Sequence, residues 1–305
     1  MTEVLFQMSG LILCGIIWRL FKPAGLAPAE TRKVLTSVVY YALLPALVLL
    51  VLWKADLSTR PLLIAISAAS GIAAGFLLGM LSCRLCRNSR AEAGALILAM
   101  AFPNATYLGL PVLEATFGSW ARGIAIQYDL FACTPILFTA GVIFASRMGS
   151  SSESGASVIS SLLRIPPMWA AVIAIGLNLS AVPVPSLLDG LLDLLGRGVV
   201  PLMLFSLGLS LEWSRSRWRL LPSILPVVVV SLFLVPLVVW AVASALGMRG
   251  EVLAAVVLEG AMPSMVLGVV LCDRFNLDTS LYAAAVTVTT ALSLVSLPLW
   301  YDWLI

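Results

Sequence analysis

The chain has 305 residues, 61% of them hydrophobic and only 11% charged, with a mean hydropathy of +1.07. That excludes a water-soluble globule, in which about a quarter of residues are charged. The net charge of +3 is spread over connecting segments, so nucleic acid is not an expected partner, and the absence of histidine removes the commonest metal ligand and general base. Taken in chain order, ten apolar segments are long enough to cross a bilayer, at roughly 4–21, 34–53, 61–83, 92–116, 121–145, 163–182, 187–211, 219–246, 251–272 and 279–301. The N-terminal stretch lacks a basic leader and reads as a retained span. Span 3 carries Gly71, Gly75 and Gly79, a small-residue stripe suited to close helix packing. Cys83 and Cys86 read as two cysteines at a helix end, and the five cysteines form no disulfide framework.

Basic residues set the expected orientation. Most of the 18 lie in connections after odd-numbered spans, as in Arg19, Lys22, Arg32 and Lys33, then Arg84, Arg87 and Arg90, then Arg215, Arg217 and Arg219. Positive charge stays inside, so those connections are expected in the cytoplasm and both termini outside, in an inner (plasma) membrane with the lipid bilayer as partner. The Ser-rich stretch 148–158 divides the chain into 1–147 and 159–305, five spans each. An odd number per half makes the second repeat enter from the opposite face. The predicted fold is therefore all-α and polytopic, with ten transmembrane helices in two inverted five-helix repeats. Proline spacing agrees: Pro45 and Pro103 in the first half are matched by Pro201 and Pro263 in the second.

Spans 4 and 9 are each interrupted by a proline and a small polar residue, Pro103-Asn104 and Pro263-Ser264. Proline removes a backbone donor and clashes with the carbonyl four residues earlier. A break at membrane depth persists only where protein or a polar cavity satisfies the freed groups. If the two spans cross there, half-helix N-termini converge near the midplane and form an anion site. Its expected substrate-binding residues are Pro103, Asn104, Thr106, Tyr107, Pro263, Ser264 and Met265. The alternative is two kinked but continuous helices. Asp129 in span 5 and Glu259 in span 9 are ionisable groups inside spans, candidates for binding a coupling ion or proton, or for a structural partnership with a residue such as Arg197. No cofactor is expected beyond Na⁺ or H⁺ as the coupling ion. Without a catalytic constellation or nucleotide fingerprint, the chain reads as a transporter rather than an enzyme.

The run Phe102-Pro103-Asn104-Ala105-Thr106-Tyr107-Leu108-Gly109-Leu110-Pro111 resembles the span-4 signature of the auxin efflux carrier family. Ala261-Met262-Pro263-Ser264 with Gly268 is similar to that family's span 9, and Ile165-Pro166-Pro167, Gly176-Leu177, Pro201-Leu202 and Leu207-Gly208 fit as well. Ala105-Thr106 departs from the pattern, in which a glycine often follows the asparagine closely, and Glu259 stands where a glutamine or apolar residue is expected. The resemblance implies spans 4 and 9 crossing at Pro103 and Pro263, a scaffold of spans 1, 2, 6 and 7, and a transport domain of spans 3–5 and 8–10. It implies elevator-type movement of an organic anion such as indole-3-acetate, malate or malonate, and a homodimer formed through the scaffold. Glu259-Gly260-Ala261-Met262-Pro263-Ser264 is also similar to the crossover of bile-acid symporters, which implies a sodium-coupled organic anion symporter as the alternative.

Overall fold

The computed structural model describes residues 2–55, 60–149, 166–211 and 221–305. The Ser-rich linker from residue 150 onward and the Arg215, Arg217 and Arg219 cluster lie outside these. Every element in the described residues is helical. In order they are α1 (Thr2–Phe21), α2 (Pro28–Trp53), α3 (Arg60–Leu85), α4 (Arg90–Ala101), α5 (Leu110–Phe117), α6 (Ser119–Met148), α7 (Pro166–Leu179), α8 (Ser186–Ser210), α9 (Pro222–Ala245), α10 (Gly250–Gly260), α11 (Gly268–Arg274) and α12 (Thr279–Leu304). Six helical segments, α2, α3, α6, α8, α9 and α12, are long and apolar enough to cross a membrane. Segments α1 and α7 contribute shorter apolar helices, while the α4–α5 and α10–α11 stretches are interrupted.

Prolines shape the long helices without ending them. Wide turns at Val39–Leu43, Ala105–Gly109, Asp129–Cys133 and Val230–Leu234 each directly precede Leu44-Pro45, Leu110-Pro111, Thr134-Pro135 or Val235-Pro236. A proline ring collides with the carbonyl four residues before it, and one turn of wider pitch relieves that collision while helix continues beyond it. In α8 the relief is a turn at Gly198, after which helix resumes two residues before Pro201.

Two sets of helices pack within themselves. In one, α1 lies along the second half of α8, while α2 packs on α7 and on both halves of α8. Gly15 and Gly208 bring α1 and α8 backbone to backbone: a Cβ on Gly15 would stand 2.9 Å from the Gly208 Cα. In the other set, α3 packs on α4 and α9, α9 on α10 and α12, and α12 on α4. The glycine stripe of α3 serves this second set, since a Cβ on Gly75 would stand 2.6 Å from the Ala101 Cα. The most exposed large side chains include Leu20, Leu187 and Leu194, apolar groups suited to a lipid surround.

Candidate functional site

Helix α4 ends at Ala101 because Pro103 cannot continue it, and Phe102 turns extended. Helix α10 ends at Gly260, and regular helix resumes only at Gly268. The two open segments run antiparallel and pair through Pro103 and Ser264. Asn104 donates its backbone N–H to the Pro263 carbonyl at 2.8 Å, and Met265 donates to the Phe102 carbonyl at 2.9 Å. Each break thus supplies partners that a bilayer would not. Helix α12 completes the set: the Ser264 N–H donates to Thr289 Oγ1 at 3.2 Å, and the Tyr282 hydroxyl donates to the Met265 carbonyl at 2.8 Å. Tyr282 also lies so close to Gly268 that no β-carbon fits there.

Beyond the first break the chain re-enters helix through Ala105–Gly109, and the first intrahelical bonds run from Leu108 and Gly109 to the Asn104 carbonyl. The N–H groups of Ala105, Thr106 and Tyr107 therefore form the open positive end of a helix that continues through α5. The second break re-enters helix more gradually: α11 is seven residues long and starts five positions past Pro263, after turns in which Val269 donates to the Val266 carbonyl and Val270 to the Leu267 carbonyl.

A cavity of about 350 Å³ opens beside this junction. Asn104, Thr106, Tyr107 and Met265 line it from the breaks, Thr36, Tyr40, Tyr41 and Leu44 from α2, Asp129, Thr134 and Phe138 from α6, and Pro167 from α7. Asn104 is 1% exposed, and neither its amide nitrogen nor its amide oxygen has a protein partner. An unpaired buried amide costs free energy unless a ligand or water completes it. Asp129 accepts hydrogen bonds from the Thr106 hydroxyl and, at 3.1 Å, from the Thr134 hydroxyl. It is the only charged side chain lining the cavity among the described residues.

Glu259 lies one turn before Pro263, fully buried, outside the cavity lining, with both carboxylate oxygens unpartnered in the fold. It packs against Gly109: a Cβ there would overlap the carboxylate, standing 2.6 Å from Oε1. A buried carboxylate without a counter-charge needs a bound proton or cation to be tolerated.

The sequence-derived candidates divide accordingly. Asn104, Thr106, Tyr107, Met265 and Asp129 face the cavity, whereas Pro103, Pro263, Ser264 and Glu259 lie behind it as its frame. Arg197 pairs with Asp193 at 2.6 Å on the same helix and touches neither carboxylate. Sequence reasoning missed the wall opposite the breaks, Thr36, Tyr40, Tyr41 and Phe138. Its local signals were the aromatic pair Tyr40-Tyr41 just before Leu44-Pro45 and the Thr134-Pro135 step after Asp129.

A larger cavity of about 870 Å³ lies further along the same helices, reaching Leu50 and Lys54 of α2, Arg122 and Gln127 of α6 and Asp189 of α8. Its charges are paired within the fold, Lys54 with Asp189 at 2.6 Å and Arg122 with Glu114. Buried Leu47, Val48 and Tyr128 lie on α2 and α6 between the two cavities. The smaller cavity is the candidate site because it alone contains the open helix end and the unpartnered Asn104.

Residues 5–301 match the family model described as membrane transport protein. An uncharacterized transporter from Methanothermobacter thermautotrophicus is 32% identical over 302 residues, covering 98% of this chain and 97% of that protein. The uncharacterized transporter MJ1031 from Methanocaldococcus jannaschii is 26% identical, covering 99% and 98%. The uncharacterized transporter YfdV from Escherichia coli K12 is 27% identical over 218 residues, covering 70% of this chain and 69% of its own.

Proposed function

Because the chain belongs to the auxin efflux carrier family of membrane transport proteins, we propose that it is a secondary transporter of small organic anions, auxin-like acids or mono- and dicarboxylates, bound where the two helix breaks meet. The observation that carries this reading is Asn104. Its side-chain amide is buried, unpartnered and turned into the cavity at the open end of a helix. The protein is a multi-pass membrane protein. Ten spans in two inverted repeats, in a plasma membrane with both termini outside, are the arrangement we propose for it.

The two helix sets support an elevator mechanism. Helices α1, α2, α7 and α8 act as the scaffold, and the remaining helices carry the junction past them as a transport unit. The two cavities follow one another along α2 and α6, separated on α2 by the stretch between Leu44 and Leu50 and on α6 by less than one turn, between Gln127 and Asp129. A short elevator-type displacement then exchanges which end of the scaffold the Asn104 cavity faces. Homodimerisation through the scaffold completes the proposal.

Glu259 favours a second reading, coupling to Na⁺ as in the bile-acid symporters. Both carboxylate oxygens lack a partner where the side chain packs on Gly109, and a dehydrated cation would complete them. Uptake of radiolabelled indole-3-acetate, malate and malonate into proteoliposomes, with and without a Na⁺ gradient, tests both. Uptake without Na⁺ supports the first reading, Na⁺-dependent uptake the second, and no uptake of any acid counts against a carrier of organic anions.

A further inference from the structure

Asn104 and Asp129 offer opposite chemistry to one small space. Asn104 and the free N–H groups of Ala105, Thr106 and Tyr107 present donors at the positive end of a helix. One hydrogen bond away, through the Thr106 hydroxyl, sits the Asp129 carboxylate. That carboxylate already compensates the helix end. A plain organic acid placed at Asn104 would bring a second negative charge beside it, with no basic side chain lining the cavity among the described residues. The nearest basic residues along α2, Arg32 and Lys33, lie a turn outward of the cavity-lining Thr36.

We propose that the ligand of this cavity is an α-amino carboxylate, with its carboxylate at Asn104 and the open turn Ala105–Tyr107 and its ammonium at Asp129. The inference rests on the carboxylate-binding site of the reading above and departs from that reading in the net charge of the ligand. Both of the cavity's polar demands are then met by one ligand of zero net charge. Thr106 contributes a backbone N–H to the open turn and its hydroxyl to Asp129, so a ligand spanning the two keeps its positive and negative ends close together, as on a single α-carbon. Tyr40, Tyr41 and Tyr107 line the same space, and aromatic rings are compatible neighbours for an ammonium group. Leu44, Leu137 and Phe138 leave room for an apolar side chain, and the cavity volume lies at the small end of ligand sites.

The test is the thermal stability of the purified full-length protein in three pools: the proteinogenic amino acids, their des-amino carboxylic acids, and their decarboxylated amines. The expected result is a saturable rise in melting temperature with the amino-acid pool alone, traced to individual members by deconvolution. Asp129→Asn then weakens binding of that amino acid roughly tenfold or more, the worth of a hydrogen bond to a charged group, and gains a response to its des-amino counterpart. A rise with the des-amino acids equal to or above that with the amino acids overturns this inference and leaves the carboxylate carrier standing. A rise with the amines alone overturns both. No rise with any pool overturns the inference, and the proteoliposome uptake of organic acids then decides the carrier reading separately.

Discussion

Asn104 gives its backbone N–H to the carbonyl of Pro263, 2.8 Å away and 159 positions on in sequence, so the two proline breaks of the chain are one structure. The same proline keeps α10 from running on toward α11. Pro263→Ala supplies the missing N–H and lets helix extend through the break. The expected outcome is a folded protein whose proteoliposome flux falls about tenfold or more, the equivalent of about 1.4 kcal/mol on the transport barrier. Flux at the wild-type level would mean that the open backbone is not used in transport.

Gly109 and Glu259 are tied by space rather than by a bond. A methyl at 109 meets the carboxylate of Glu259, and a crowded buried site of this kind costs about 1–3 kcal/mol. Gly109→Ala therefore lowers the melting temperature. In the Glu259→Ala background the same change costs less, because its obstacle is gone. The double-mutant cycle measures the difference. Additive losses would show that the two residues do not meet.

The second break leans on α12 through Tyr282 and Thr289. Tyr282→Phe removes one interhelical hydrogen bond and keeps the ring. In a membrane protein this is expected to cost on the order of 0.6 kcal/mol, read by unfolding in detergent. An unchanged stability together with unchanged transport would remove Tyr282 from the support of the break.

The breaks themselves were legible in the sequence, since a proline beside Asn104 or Ser264 in an apolar run interrupts a helix through its own missing N–H and ring. The apolar segments and the role of the α3 glycines as packing positions were legible for a similar reason: period, length and residue size are local properties. What could not be read was the cavity's far wall. Tyr40, Tyr41 and Phe138 join the site only because α2 and α6 pack beside the junction, and no local pattern states that neighbourhood. Nor could the support of the second break be read: the Ser264 N–H and the Met265 carbonyl are held by Thr289 and Tyr282 of α12, partners distant in sequence.

Glu259 is expected to decide coupling. Glu259→Gln keeps the volume and removes the charge, so any dependence of transport on a Na⁺ or H⁺ gradient should be lost while substrate exchange persists. Proteoliposome exchange measured beside gradient-driven uptake checks this. Gradient-driven uptake that survives in Glu259→Gln would take the residue out of coupling.

The most direct test of the central claim, that substrate binds at the meeting of the two breaks, compares the two cavities. Thermal shifts are recorded with mono- and dicarboxylates, indole-3-acetate, bile acids and amino acids, with and without Na⁺. The proteins are the wild type, Asn104→Ala in the smaller cavity, and Lys54→Ala in the larger one. The account predicts a ligand that stabilises the wild type and Lys54→Ala alike but no longer stabilises Asn104→Ala, whose folded fraction is unchanged. A ligand that stabilises Asn104→Ala as well as the wild type and loses its effect in Lys54→Ala would contradict it and move the site to the larger cavity.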